Sequence, residues 1–251
     1  MSASVKAQVA SRFSRASQVY VQHANVQQQA AEILLRKISL PCTTLLDLGA
    51  GPMQHYEALS TRCAQLVALD LSASMLGQGP RDALKVCADM DNLPLADNCV
   101  DAIFSNFAMQ WSQDHPALFK ALNRILKPGG KAYLSIVVDG SLCEIRQAWQ
   151  NVDAHCHVNR FTPFDSLLAY AEEAGFALDD AQLMCLKETF KTAQAAFKSV
   201  KAIGANQLQH ADHRRGLLGK TQYRKLLAGY PLTNGRAQLS YQVAFMELTK
   251  L

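Results

Sequence analysis

The chain has no apolar run approaching the roughly 18 residues a membrane-spanning helix needs, although 49% of its 251 residues are hydrophobic, enough for a full core. Its first residues, Met1-Ser2-Ala3-Ser4-Val5-Lys6, lack the apolar core of a signal peptide, so a cytoplasmic protein is expected. The seven cysteines (Cys42, Cys63, Cys87, Cys99, Cys143, Cys156 and Cys185) form no Cys-x-x-Cys pair. That excludes a zinc or disulfide framework of the usual spacing and points to reduced thiols; no metal site is expected. There is no internal repeat, no low-complexity segment, and no interleaving of aromatic and basic residues of the kind that tracks nucleic acid. No membrane and no nucleic acid is therefore expected as a partner, and the chain is expected to act as a monomer. Its length suits one α/β domain with insertions.

What is present is most concentrated at Leu45-Leu46-Asp47-Leu48-Gly49-Ala50-Gly51. An apolar run ending in an acid and two glycines reads as a buried parallel strand entering a tight turn. Glycine there allows positive φ and close approach of a ligand to the backbone. A helix is expected from about Met53 to Thr61, with its N-terminus aimed at the turn. The next apolar run, Gln65–Leu69, ends in Asp70, about 20 residues past the glycines, where a nucleotide-binding βαβ unit holds ribose hydroxyls. A dinucleotide fingerprint would need a third glycine at position 54, where Gln54 stands; S-adenosylmethionine (SAM) enzymes show an acid followed by alternating glycines, which Asp47, Gly49 and Gly51 fit and Met53 breaks.

The rest of the chain extends this pattern. Two amphipathic helical stretches, 4–22 and Asn25–Lys37, precede the first strand, the earlier one carrying Tyr20. Leu71 follows Asp70; Ser72 reads as the N-cap of a short helix, and its Met75 either touches the ligand or fills core. A third strand over Leu84–Ala88 ends at Asp89-Met90, a carboxylate for an adenine amino group beside an apolar neighbour for the ring. A fourth, Val100–Phe104, leads to Ser105-Asn106-Phe107-Ala108-Met109-Gln110-Trp111, a polar and aromatic group where a transferred moiety would lie. Three acids at three successive strand ends suit the rule that ligands of open α/β sheets bind at the carboxyl ends of the strands.

Asp114 and Pro116 open a helix with apolar residues at Leu118, Leu122, Ile125 and Leu126, stopped by Lys127-Pro128-Gly129-Gly130, and Ala132–Val138 is the fifth strand. Helices are expected at 141–159 and Pro163–Ala174, the second closed by Gly175, and strands at Leu183–Thr189 and Gln238–Leu248, the last after an Asn234-Gly235 turn. Alternation through five strands predicts a doubly wound, Rossmann-like α/β sheet with N-terminal helices and a helical lid inserted before the last strand. The expected divisions are an N-terminal helical arm over 1–40, a core over 41–190, a basic lid over 191–229 and the final strand segment over 230–251. Between Lys191 and Lys225 the chain carries net +7, which leaves net −3 for the remainder, so an acidic partner is expected on that segment.

Asp47-Leu48-Gly49-Ala50-Gly51, Asp70, Asp89, the Asn106 region and Lys127-Pro128-Gly129-Gly130 together resemble the class I SAM-dependent methyltransferases. A narrower resemblance covers nearly the whole chain. Phe13-Ser14-Arg15-Ala16 with Tyr20 and His23, the Ser105–Trp111 segment, Gly140-Ser141-Leu142-Cys143-Glu144, His157-Val158-Asn159-Arg160-Phe161 and Tyr230-Pro231-Leu232 with Ser240-Tyr241 look like the malonyl-acyl-carrier-protein O-methyltransferases of biotin synthesis. The resemblance implies methyl transfer from SAM, giving S-adenosylhomocysteine, onto the free carboxylate of a malonyl thioester on acyl carrier protein. Met53 stands where that family usually has a third glycine or a small residue, which implies a differently seated cofactor loop or weaker binding.

A carboxylate is already ionised at neutral pH, so such a reaction needs no general base, and no Ser/His/Asp or Cys/His triad is evident. The expected cofactor residues are Asp47, Gly49, Gly51, Asp70, Leu71, Met75, Asp89, Met90 and Asn106. Arg160 is the expected orienting cation, able to hold a carboxylate by two parallel hydrogen bonds, with Tyr20 and Gln110 as further catalytic candidates. Two other readings stay open: methylation of a free small acid or quinone precursor, and a SAM-fold scaffold without catalysis.

Overall fold

The computed structural model describes residues 24–38, 42–202 and 218–251. Among these, eight strands form one sheet: β1 (Cys42–Leu48), β2 (Cys63–Asp70), β3 (Leu84–Cys87), β4 (Val100–Asn106), β5 (Leu126–Val137), β6 (Phe176–Phe190), β7 (Leu232–Thr233) and β8 (Arg236–Lys250). The helices are α1 (Asn25–Lys37), α2 (Tyr56–Ser60), α3 (Ala73–Leu76), α4 (His115–Ile125), α5 (Cys143–Gln150), α6 (Phe164–Glu173), α7 (Ala193–Ala202) and α8 (Lys220–Ala228). Spatial order is β3-β2-β1-β4-β5-β8-β6, with β7 paired to β8. β1 to β5 run parallel, and β8 lies antiparallel between β5 and β6. The doubly wound, Rossmann-like α/β sheet is thus present, with its order reversing between β1 and β4.

Successive strand residues serve opposite faces. Leu45, Phe104, Tyr133 and Val137 face one core with Val26, Ala30 and Leu34 of α1, Ile145 of α5 and Ala196 of α7. Leu46, Ile103, Leu134 and Ile136 face the other, with Leu118, Phe119 and Leu122 of α4 and Leu167 of α6. Central strands covered on both faces read as continuous apolar runs for this reason. A smaller cluster of Ala50, Met53, Ala68 and Leu76 lies beside the first turn.

Local signals hold in several places. The Asp114 carboxylate accepts from the Ala117 N–H at 2.9 Å, with Pro116 in the first turn of α4. Gly175 follows α6 at φ +87°. Asn234 and Gly235, at φ +51° and +73°, close the β7–β8 hairpin with the paired left-handed geometry such turns favour. Elsewhere the structure departs from the sequence reading. The helix expected over Met53–Thr61 is only the five-residue α2, because Met53 itself is left-handed and its N–H closes a turn onto the Ala50 carbonyl.

The helix expected over 141–159 ends at Gln150. Beyond it the Asp153 carboxylate accepts from the His155 N–H, a local turn that competes with helix, and from His157, whose ring stacks on Trp149 at 3.4 Å. β5 begins at Leu126, earlier than expected, with a register irregularity opposite Val100–Ala102 where the Pro128-Gly129-Gly130 segment passes. β6 and β8 are each 15 residues long and pair almost end to end, so both exceed their expected spans.

α1 is bound to the far edge of the sheet by ion pairing of Lys37 with Asp180 and a hydrogen bond from Asn25 to Glu188. α7 and α8 lie between β6 and β7 in the chain, and each buries one face, through Ala193, Ala196 and Val200, and through Leu226. Among the described residues no helix is long and apolar enough to cross a membrane, and no group of three or more His, Cys, Asp or Glu is placed to hold a metal ion.

Candidate active site

Because β1 to β5 are parallel, the turns that follow them share one edge of the sheet. The turn after β1 is held by the end of β2. Gly49 and Ala50 both donate their N–H groups to the Leu69 carbonyl, at 2.7 and 3.0 Å. Gly51 donates to one Asp70 carboxylate oxygen at 2.9 Å, and Ser72 donates its N–H to the other at 2.8 Å. Gly49 is left-handed at φ +76°, and a Cβ there would stand 2.1 Å from the Cβ of Ala108, so the turn that follows β4 admits only glycine here. Gly51, at φ +54°, differs: a Cβ would meet nothing within 4 Å, so this side of the turn opens outward.

The acids here are poorly solvated. Burial, and then the charge of Asp70, push the Asp47 carboxyl up to about 8. Burial also raises Asp70, against the lowering effect of its bonds from Ser72 and Gly51. His55, just past the turn, is buried edge-on to Phe104 with ring centroids 6.0 Å apart, and burial pushes it down to about 4, so it is neutral at pH 7. Desolvated carboxyls beside an outward-opening glycine favour a ligand that brings positive charge and hydroxyl donors.

Asp89 caps the 3-10 turn Met90–Asn92, its carboxylate accepting from the Asp91 N–H at 3.0 Å. The Met90 methyl comes within 3.8 Å of where a Cβ of Gly49 would stand. The structure therefore brings Gly49, Gly51, Asp70 and Met90 together, with Leu71, half-buried, next in chain to Asp70. Met75 stands apart, only 1% exposed, so its side chain fills core and offers almost no surface to a ligand.

Asn106 was expected to face the cofactor, but its side chain is committed to the protein. Its amide donates to the Gln27 carbonyl in the first turn of α1 at 3.0 Å, and its oxygen accepts from the Ser135 hydroxyl at 2.6 Å. Sequence reasoning missed this clamp because Gln27 lies 79 residues away and nothing local marks it.

Gln110 sits in the 3-10 turn Met109–Trp111 and donates to the Phe107 carbonyl at 2.6 Å; its Oε1 is buried and has no hydrogen-bond partner among the described residues. A buried orphan acceptor is costly unless a donor reaches it. Arg160 is exposed on the loop between α5 and α6. That loop reaches the same edge, since the Thr162 carbonyl accepts from the Asp139 N–H just past β5 and its hydroxyl lies 3.3 Å from His115 of α4. Tyr20 lies outside the described residues. The Glu144 carboxylate accepts from the Ser240 hydroxyl and N–H, at 2.5 and 3.2 Å, so these two motif residues tie α5 to β8.

A doubly wound sheet with an antiparallel β8 beside β5, an acid-x-Gly-x-Gly turn, and an acid at the end of β2 binding that turn defines a class I SAM-dependent methyltransferase. The outward-opening Gly51 and the desolvated acids beside it fit SAM, a nucleoside with a cationic tail.

Comparison with known proteins agrees. Residues 46–134 match the family model described as a methyltransferase domain. The chain is 36% identical over 242 residues to the malonyl-acyl carrier protein O-methyltransferase of Pseudescherichia vulneris, covering 95% of each chain. It is 35% identical to the biotin biosynthesis bifunctional protein BioHC of Cellvibrio japonicus, covering 98% of this chain and 50% of that longer protein. The chain belongs to the malonyl-acyl carrier protein O-methyltransferase family. Among solved structures, the YcgJ protein of Bacillus subtilis is similar in fold, with a TM-score of 0.65 at 14% identity, over 89% of this chain and 98% of that one.

Proposed function

We propose that this protein transfers the methyl group of SAM to the free carboxylate of malonyl-acyl carrier protein, giving the methyl ester that opens pimeloyl-chain synthesis for biotin. The observation that carries this reading is the similarity over 95% of both chains to a protein of that name. SAM supplies an electrophilic methyl on a sulfonium, and the acceptor carboxylate is ionised without help. The protein's task is then alignment and water exclusion.

In this reading Asp70 accepts from the ribose hydroxyls while still fixing Gly51 and Ser72, and Asp47 balances the positive tail. Asp89 accepts from the adenine amino group, and Met90, beside Gly49, packs on the ring. Leu71 and the backbone at Asn106 complete the cofactor wall. Arg160 orients the malonyl carboxylate, with Gln110 and Tyr20 beside the reacting groups.

The carrier docks on the segment over 191–229, which acts as a lid. What supports this is charge: Lys191, Lys198, Lys201, Lys220, Arg224 and Lys225 are exposed, and among the described residues none makes an ion pair. Unpaired cations on one segment attract an acidic surface and speed its approach.

The test is incubation with methyl-labelled SAM and malonyl-acyl carrier protein, with malonyl-CoA and unacylated carrier in parallel. Label on the malonyl carrier alone, released by mild base as an ester, is expected. Equal labelling of malonyl-CoA would remove the carrier from the assignment, and no label with SAM still bound would remove the acceptor.

A further inference from the structure

Met53 is the residue where the cofactor turn departs from the glycine pattern, and its surroundings assign it a use. Its backbone is left-handed at φ +57°, the conformation a glycine would take for free, and its side chain is only 4% exposed. That side chain packs into the small cluster of Ala50, Ala68 and Leu76, with Tyr56 and Ala83 packed against it. Its far wall is the connection between α3 and β3. A Cβ at Gly79 would stand 2.2 Å from the Met53 sulfur, 2.9 Å from its Cβ and 3.0 Å from its Cγ.

Gly79 is not in the left-handed region, so its backbone would accept alanine; what it supplies is space. The notch is also held in place. Gly79 donates its N–H to the Leu76 carbonyl at 3.2 Å, and its own carbonyl accepts from the Lys85 ammonium at 3.1 Å.

We propose that Met53 is a positioning residue for the SAM-binding turn, its side chain locked into a notch that Gly79 leaves open. The proposal rests on reading that turn as the cofactor site. The turn's other anchors are hydrogen bonds from Gly49, Ala50 and Gly51 to the end of β2. Met53 adds an anchor of packing at the turn's exit, where its N–H bonds the Ala50 carbonyl at 2.9 Å and its carbonyl accepts from Tyr56 at 3.0 Å. A side chain fixed at that point transmits any displacement through Pro52 to Gly51. A glycine at this position would leave the backbone free; Met53 supplies a wedge. Met53 and Gly79 are therefore coupled, and both act on cofactor affinity without touching the acceptor.

The experiment compares Gly79→Ala, Met53→Gly and the double variant, measuring the SAM dissociation constant by calorimetry, then KM for SAM, KM for the acyl substrate, and kcat at saturating SAM. Gly79→Ala forces the methionine out and is expected to weaken SAM binding about tenfold or more. kcat and the acyl KM should stay within about twofold. Met53→Gly relaxes the backbone but loses the wedge, and a loss of about fivefold is expected. The double variant removes the three atoms nearest the new methyl, all of them in the Met53 side chain, so its affinity should recover to near that of Met53→Gly.

If Gly79→Ala alone does not fold, a folded double variant with affinity near that of Met53→Gly still supports the coupling. Wild-type affinity in Gly79→Ala, or losses that simply add in the double variant, overturns the proposal. A wild-type protein that binds no SAM overturns the cofactor reading and this inference with it, which separates the two failures.

Discussion

Asp47→Asn tests whether the buried acid of the turn is neutral in the free protein. Burial and the nearby charge of Asp70 push its carboxyl up to about 8, whereas an unfolded aspartate titrates near 3.9. Between those values the folded protein holds a proton that the unfolded chain has released. Folding stability therefore falls as pH rises through that window. One fully coupled proton corresponds to about 1.4 kcal/mol per pH unit, hence about 4 kcal/mol between pH 5 and 8 as an upper limit. Relaxation around the ionised group lowers this, and about 2 kcal/mol is a reasonable floor.

His55 works in the opposite sense: pushed down to about 4, it favours the folded state increasingly as pH rises from about 4 to 6.5. It is present in both proteins, so it cancels in the difference between them. Asparagine is neutral and of similar size. Urea unfolding of wild type and variant at about pH 5, 6.5 and 8 should show the difference moving in the variant's favour by about 2–4 kcal/mol over the range. A difference that stays flat would falsify the claim that burial keeps Asp47 protonated.

Three further outcomes are expected. Asn106→Ala breaks the bonds to Gln27 and Ser135; it should cost about 1–3 kcal/mol in chemical denaturation and speed amide exchange at the start of α1, and unchanged exchange there would refute the clamp. Arg160→Ala should lower methyl transfer by about a hundredfold with SAM affinity unchanged, and equal loss of both in calorimetry and turnover would remove Arg160 from acceptor positioning. Reversing Lys198 and Lys201 to glutamate should raise KM for the carrier-bound substrate about tenfold at low ionic strength, with the gap closing as salt rises; an unaltered KM counts against docking on this face.

Much of the architecture is written in short-range patterns. Apolar runs ending in acids mark β1, β2 and β3, the Asp114 and Pro116 pair marks the start of α4, Gly175 the end of α6, and Asn234-Gly235 the last hairpin. Each depends on backbone preferences or on burial periodicity within a few residues, which one sequence displays. The acid-x-Gly-x-Gly turn is equally local, and its distance to Asp70 follows from the length of one strand-helix-strand unit.

What each side chain does there was decided by partners far along the chain. Asn106 could be read as facing a ligand until Gln27 and Ser135 took both ends of its amide. Met75 could have touched the cofactor, but the packing around it left no open surface. The helix expected at Met53 was cut short because that residue takes a left-handed backbone, and burial of its side chain, worth about 1.5–3 kcal/mol, outweighs a conformational cost of about 1–2 kcal/mol. That balance depends on Gly79, 26 positions away, leaving room for the side chain. Periodicity and capping determine where strands and helices run; close packing and the need to satisfy buried polar groups, both properties of the assembled fold, decide which side chains remain for chemistry.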